Sequence, residues 1–387
     1  MQRAQYCIWG SELSPFSLKL RALFDFAQLP YVWLPADGGR LQNYRVLWRI
    51  NRATRRRRAR RYPQLNDLDE YPLVPFVVDD QRQVSYDSSA LARWIDDQHR
   101  PRRGPLFPDE PALGFVAQLI DEAFDEFGLY MVHHNRWVVS ATTNDAGARL
   151  AREFVRVLPP GAGGRFARRF AQRQVRRLPY LFSVAPPGFT LPDLKPQLKP
   201  PSREGFPETH SLLTEAWDAY LGAMETVLTQ QPYLFGGRFT VADASAYGEL
   251  GMNLKDPTAA EQIRTRAPTT YRWLCSIRDG RHVDDGDNSL RLSEALHPLL
   301  DIIGRTFVRL MRQNEVAYEA ARERGEAVFN ESAFDQGRAL YDGELLGRPF
   351  RSVAKTFQVR VWRDLKDAWR GLPVTARERV VPLLTGM

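Results

Sequence analysis

Apolar residues change period several times in the first hundred positions. Tyr6-Cys7-Ile8-Trp9 is a short apolar run of the kind a buried strand needs. Phe16, Leu20, Leu23, Phe24 and Ala27 then recur at helical spacing while Lys19, Asp25 and Gln28 face away, which predicts one buried stripe on a helix. Ser14-Pro15 stands in front of it, a favoured N-cap followed by a favoured first helical residue. Tyr31-Val32-Trp33-Leu34 returns to a strand, ended by Pro35. After a polar, arginine-rich segment from Arg40 to Glu70, Phe76-Val77-Val78, a turn at Asp79-Asp80, and Gln83 to Tyr86 predict a hairpin. Asp87 and Ser88 then open a helix with Leu91, Trp94 and Ile95 on its inner side.

The order β-α-β, variable segment, β-β-α is that of a thioredoxin-like domain, and the open N–H groups of its first helix make the start of that helix a natural place for an anionic or polar ligand. From Pro105 onward helical spacing takes over. Ile120, Ala123, Phe124, Phe127 and Met131 form one stripe; Leu213, Trp217, Tyr220, Leu221, Met224 and Leu228 form another. Asp121, Glu122, Asp125 and Glu126 are read as the wet face of the first of these helices. Proline-rich Pro179 to Pro207 is expected to cross the surface in extended form. Thr240 and Asp243 have the spacing of a capping box, with Phe239 and Ala244 as its hydrophobic staple, and are assigned to folding only. Leu296, Leu299, Leu300, Ile303, Phe307 and Leu310 predict a further helix whose apolar stripe must be buried against the helical domain. The fold class is therefore α+β: a thioredoxin-like domain at 1–104 with a basic insertion at about 40–70, an all-helical domain at 105–288, and a helical C-terminal extension at 289–387.

The 387 residues contain no apolar run long enough to span a bilayer, and the N-terminus lacks the order of a signal peptide. The two cysteines, Cys7 and Cys275, fit neither a zinc pattern nor a disulfide framework, so a reducing cytoplasm is the expected compartment. The net charge of +8 is concentrated in part at Arg55 to Arg58, Arg60 and Arg61. A solvated arginine face explains such a run, and nucleic acid is not an expected partner. His133-His134 has no third ligand at a recognisable offset, so no metal is expected.

Three stretches, "SPFSLKLRALFDFAQLPY", "LVPFVVDDQRQVSYDSSALARWID" and "PYLFGGRFTVADASAYGEL", come in an order and spacing that resembles the glutathione S-transferase family, in its cytosolic type with serine or cysteine at the active position. The resemblance covers roughly Ala4 to Gly280. It implies that Ser14 hydrogen-bonds the glutathione sulfur and stabilises the thiolate, the nucleophile, together with the helix N-terminus. The strand-end position used by tyrosine-type relatives falls on Gly10, so Tyr6 is no substitute. Phe16, and the Val74-Pro75 pair of a cis-proline turn, belong to the glutathione site by the same resemblance, and Asp87-Ser88 would hold the γ-glutamyl group. The segment 40–70 is longer and more basic than usual, so the residues for the glycyl carboxylate do not carry over. Tyr130, His134 and Trp137 are candidates for the pocket of a second substrate, a hydrophobic electrophile. The resemblance further implies glutathione as co-substrate and a homodimer, with the reaction open among conjugation, ether cleavage, dehalogenation and isomerisation. A rival is a non-catalytic binding or regulatory protein of this fold, using its arginine segment and extension for a partner such as RNA. A thiol-disulfide reductase ranks third, because Ser14 stands where it would need cysteine.

Overall fold

A computed structural model describes residues 5–60, 74–282 and 288–383. Strands β1 (Tyr6–Trp9), β2 (Tyr31–Leu34), β3 (Phe76–Val78) and β4 (Val84–Tyr86) form one sheet in the order β2-β1-β3-β4. β1 pairs parallel with β2 and antiparallel with β3, and β3 with β4 makes the expected hairpin. Helix α1 (Pro15–Phe26) connects β1 to β2, α2 (Arg40–Arg55) follows β2, and α3 (Ser88–His99) follows β4. Ile8 and Val77 face the α1 side of the sheet, while Trp9, Phe76 and Val78 join Val46 and Ile50 of α2 on the other. This alternation is the period-two pattern of a sheet covered on both faces.

The helical part begins with α4 (Pro111–Ala123), which continues through a π turn at Phe124–Gly128 into α5 (Leu129–His134) and a second π turn at Asn135–Val139. A pair of helices, α6 (Ala146–Glu153) and α7 (Gly163–Arg176), is followed by α8 (His210–Leu228), α9 (Val241–Met252), α10 (Pro257–Arg266) and α11 (Pro268–Arg278). Both apolar stripes lie in the main core. The capping box at Thr240 and Asp243 is present. Helices α1 and α9 cross closely at Gly248, where a Cβ would come within 2.7 Å of the Pro15 carbonyl oxygen. Only glycine permits that approach.

Two expectations need correction here. The acids of α4 are not a wet face: Asp121, Glu122, Asp125 and Glu126 are all buried. Asp121 and Asp125 meet Lys19 of α1 and Ser89 of α3, while Glu122 and Glu126 line a cleft shared with the extension, and a helix side that meets a neighbouring layer is read as solvent-facing when only its polarity is visible. The stretch after Pro179 is only partly a surface crossing, since Leu181 to Ala185 are buried before the chain emerges.

Beyond residue 288 come α12 (His297–Ile303), a π turn at Gly304–Val308, α13 (Arg309–Glu323), α14 (Glu331–Asp335), the hairpin β5 (Leu340–Leu345) and β6 (Arg348–Val353), α15 (Thr356–Gly371) and α16 (Val374–Val380). The hairpin departs from an all-helical extension. Leu346 and Gly347 both have positive φ, the backbone of a tight two-residue hairpin turn. The stripe from Leu296 to Leu310 is buried in the same cluster as Phe124, Phe127 and Tyr220, and the Tyr220 hydroxyl lies 3.0 Å from Thr306 Oγ1. α12 packs on α8, and α15 and α16 pack on α4.

Candidate active site

A cleft of about 250 Å³ opens between the sheet domain, the helical domain and the extension. The sheet domain supplies Phe16 of α1, Val74, Pro75, Asp87, Ser88 and Ser89. The Val74–Pro75 peptide is cis, as is Leu34–Pro35. Asp87 is the N-cap of α3; its Oδ1 accepts from the Ala90 N–H at 3.2 Å, and its backbone has φ 73°. A non-glycine residue at positive φ is uncommon and is held there by its surroundings. Ser88 opens the helix, so the free N–H groups of the first turn of α3 face this end of the cleft.

Ser14 is the N-cap of α1, and its Oγ accepts from the Ser17 N–H at 3.4 Å. The cap uses a lone pair, which leaves the hydroxyl proton available to another group. Ser14 is not among the wall residues; Phe16, two positions on, is. The loop before it is held by the helical domain: Ser11 Oγ donates to Glu153 Oε2 at 2.5 Å, the Glu12 N–H donates to Glu153 Oε1 at 3.0 Å, and Arg136 Nη1 donates to the Leu13 carbonyl at 2.9 Å. Arg136 is itself buried against Asp256 at 2.9 Å. At Gly10 a Cβ would fall 2.7 Å from Ser17 Oγ, so a larger residue does not fit, and the Tyr6 hydroxyl is instead paired with His99 Nε2 at 3.2 Å.

The helical domain contributes Glu122, Asp125, Glu126, Leu129, Tyr130 and Tyr180. Of the three residues expected in a second-substrate pocket, the cleft gathers only Tyr130. His134 is buried, with Nδ1 3.0 Å from Ser183 Oγ and its ring edge-on to His210. Trp137 packs with Leu13, Val138 and Leu150 in a separate apolar cluster. Both follow Tyr130 on one helical run, four and seven residues on, and so share its side of the helix, but they lie about one and two turns further along the axis, beyond the cleft, among other neighbours.

Behind the wall lies a buried charge cluster. Lys19 Nζ is 2.6 Å from Asp121 and 2.7 Å from Asp125, and it donates to Ser89 Oγ at 2.7 Å. Burial pushes the Asp121 carboxyl up to about 6, against the pull of Lys19. Burial also raises Glu122 well above the usual carboxylate range, with the neighbouring Asp121 charge adding to it. Glu249 is raised in the same way, and neither of its carboxylate oxygens has a hydrogen-bond partner among the described residues.

The sequence allows the run "RPFRSVAKTFQVRVWRDL" to pack across the substrate side or to meet a partner, but it singles out no site residue there. Lys355, Phe357, Gln358 and Arg360 complete the wall, and the three polar ones are buried. Arg360 Nη1 is 2.7 Å from Asp364, and its Nη2 is 4.0 Å from Asp87 Oδ2. Nothing local in that run says that its buried side carries cations toward a cleft. Among the described residues there is no group of three His, Cys, Asp or Glu arranged to hold a metal ion. No helix among them is long and apolar enough to cross a membrane.

Comparison with known proteins adds two family matches. Residues 13–98 match the glutathione S-transferase N-terminal domain, and residues 200–274 match the glutathione S-transferase C-terminal domain. No curated protein matches the chain. Similar solved structures include a glutathione S-transferase of Ceriporiopsis subvermispora in complex with glutathione, at 17% identity, covering 73% of this chain and 99% of that one, with TM-score 0.41. A glutathione S-transferase from Rhodospirillum rubrum is 14% identical, covering 76% and 91%, with TM-score 0.35. The matched N-terminal segment contains Ser14, Phe16, Val74, Pro75, Asp87 and Ser88, whereas Tyr130 and the residues of the extension lie outside both matches. With the two domain models matched in order, on a thioredoxin-like domain followed by a helical one, the chain belongs to the glutathione S-transferase family and carries a C-terminal extension.

Proposed function

We propose that the cleft binds glutathione and presents its thiolate to a largely apolar electrophile, transferring an alkyl or aryl group to sulfur. The observation that carries this reading is the convergence of Val74, Pro75, Asp87 and Ser88 on one cleft. The Asp87 carboxylate attracts the γ-glutamyl ammonium, while the Ser88 hydroxyl and the first N–H groups of α3 take the γ-glutamyl carboxylate. The backbone at Val74 pairs with the cysteinyl unit as an added strand does. Ser14, as a hydroxyl donor at the positive end of α1, stabilises the thiolate over the thiol and is an electrostatic partner, not a covalent nucleophile. Phe16, Leu129, Leu181 and Phe357 supply apolar wall for the electrophile. A homodimer in the cytoplasm belongs to the same reading.

Isothermal titration of the full chain with glutathione tests it. Binding in the micromolar to millimolar range is expected. Absence of binding overturns it and favours a non-catalytic binding protein of the same fold.

A further inference from the structure

Helix α2 turns one side to the core, where Asn43, Val46, Ile50 and Thr54 are buried. At the helical repeat, Leu41, Tyr44, Arg45, Trp48, Arg52 and Arg55 fall on the opposite side, within an arc of about 100°. All six are exposed, Leu41 by 63%, Tyr44 by 49% and Trp48 by 59%. Among the described residues, Tyr44 and Trp48 are the only exposed Phe, Tyr or Trp side chains. The Tyr44 hydroxyl donates to the Val157 carbonyl at 3.0 Å, which joins this face to the turn after α6, where Val155 is 58% exposed. The Arg52 guanidinium lies 5.1 Å from the centroid of the Trp48 ring. Residues 38–60 contain no Asp or Glu, and neither do residues 154–192.

A single exposed leucine needs no explanation, but Leu, Tyr and Trp on successive turns of one face mark a surface that meets something apolar. The charge around them decides what. An apolar patch on another protein would cover the three and leave the arginines unanswered, and a nucleic acid would answer the arginines and bury no leucine. An anionic bilayer surface answers both. Trp and Tyr settle at the headgroup level, apolar ring inward and polar tip wet, Leu reaches the first acyl carbons, and arginine meets phosphate. We propose that the outer face of α2 docks on a bilayer surface carrying anionic phospholipid, with Leu41, Tyr44 and Trp48 set into the headgroup layer and Arg45, Arg52 and Arg55 on its phosphates. The helix is already folded against the sheet through Val46 and Ile50, so docking does not have to order it. None of the six residues lines the cleft, and the docking stands apart from the transferase reading.

Flotation of the full chain with lipid vesicles tests this. At physiological salt, binding is expected to vesicles of phosphatidylcholine with one third phosphatidylglycerol, and not to phosphatidylcholine alone. Leu41→Ser with Trp48→Ser keeps every charge and is expected to weaken binding on the order of tenfold or more, because the apolar burial is lost. Arg45→Gln with Arg52→Gln is expected to weaken it roughly fivefold for each charge removed. Brominated acyl chains should quench the fluorescence of the wild type more than that of Trp48→Phe. Thermal unfolding checks that each variant folds, and the comparison of the two vesicle types decides without any variant. Equal binding to both vesicles, binding to neither, or binding that Leu41→Ser with Trp48→Ser leaves intact overturns the proposal. A dimer that those two substitutions dissociate also overturns it, since the face is then a contact between copies. So does tight binding of a single-stranded RNA at physiological salt that the arginine substitutions abolish and the apolar ones do not.

Discussion

Lys19 of α1 and Asp121 of α4 lie 2.6 Å apart across the junction of the two domains, each almost completely buried, with Asp125 on the other side of the same ammonium at 2.7 Å. The ammonium thus answers two carboxylates, and Ser89 and Ser245 supply the remaining hydrogen bonds. The cluster fixes how the sheet domain sits on the helical one and hence the width of the cleft. Its cost is desolvation, which holds Asp121 up near 6.

Removing the cation leaves two buried carboxylates without their counter-charge. Lys19→Met is therefore expected to lower unfolding stability by about 3–5 kcal/mol, the usual result of breaking a buried pair from one side. Denaturant unfolding measures this, and Lys19→Met with Asp121→Asn and Asp125→Asn together should regain most of the loss. A loss below about 1 kcal/mol, the level of an exposed pair, would show that the cluster is not desolvated as described.

Ser14 caps α1, and the proposed function gives it a second, separable role at the glutathione sulfur. Ser14→Gly keeps much of the capping preference and removes the hydroxyl. The variant is expected to fold and to bind glutathione, but with the pKa of the bound thiol raised, read by thiolate absorbance against pH. Turnover at neutral pH should fall by roughly tenfold to a thousandfold. Unaltered thiol titration and turnover would leave Ser14 a cap only.

His210 and His134 meet edge-to-face in the helical domain, and burial pushes His210 down to about 4 and His134 well below its ordinary value. A histidine neutral in the fold but free to charge when unfolded adds stability that is present above about pH 6.5 and is lost as pH falls toward 4, because the unfolded chain takes up the proton first. For His210 the loss at pH 5 is about 2 kcal/mol. Thermal unfolding of the wild type should show a falling Tm from pH 7 to 5, with a shallower slope in His210→Phe. Identical slopes would mean that His210 charges within the folded protein.

The arginine run begins on α2, from which acidic residues are absent, and it exposes Leu41, Tyr44 and Trp48, with the Arg52 guanidinium 5.1 Å from the Trp48 ring centroid. Arg61 lies outside the described residues. Binding to a single-stranded RNA, followed by fluorescence anisotropy, is expected to be weak and to fall steeply with salt as counterions are released. Tight binding at physiological salt that disappears when Arg55 to Arg58 are neutralised would replace the enzyme reading with the regulatory one.

Local pattern alone accounts for the elements and for the sheet-domain residues that line the cleft, Phe16, Val74, Pro75, Asp87 and Ser88. The β-α-β and β-β-α units, the caps at Ser14 and Asp87, and the capping box at Thr240 and Asp243 are local features, written in periodicity and in residues with strong positional preference. Where polar faces go depends on packing between distant elements. Asp121 and Asp125 read as solvent-facing until α1 brings Lys19 onto them, because helical spacing reports which residues share a face and not what that face meets. The same limit left Tyr130, His134 and Trp137 undivided, since they share one side of a helical run and differ by about one and two turns along it. It also hid Lys355 and Gln358, whose contact with Tyr130 spans more than two hundred residues of chain. Such pairs are made by packing of distant elements, and no local pattern in either segment encodes the other.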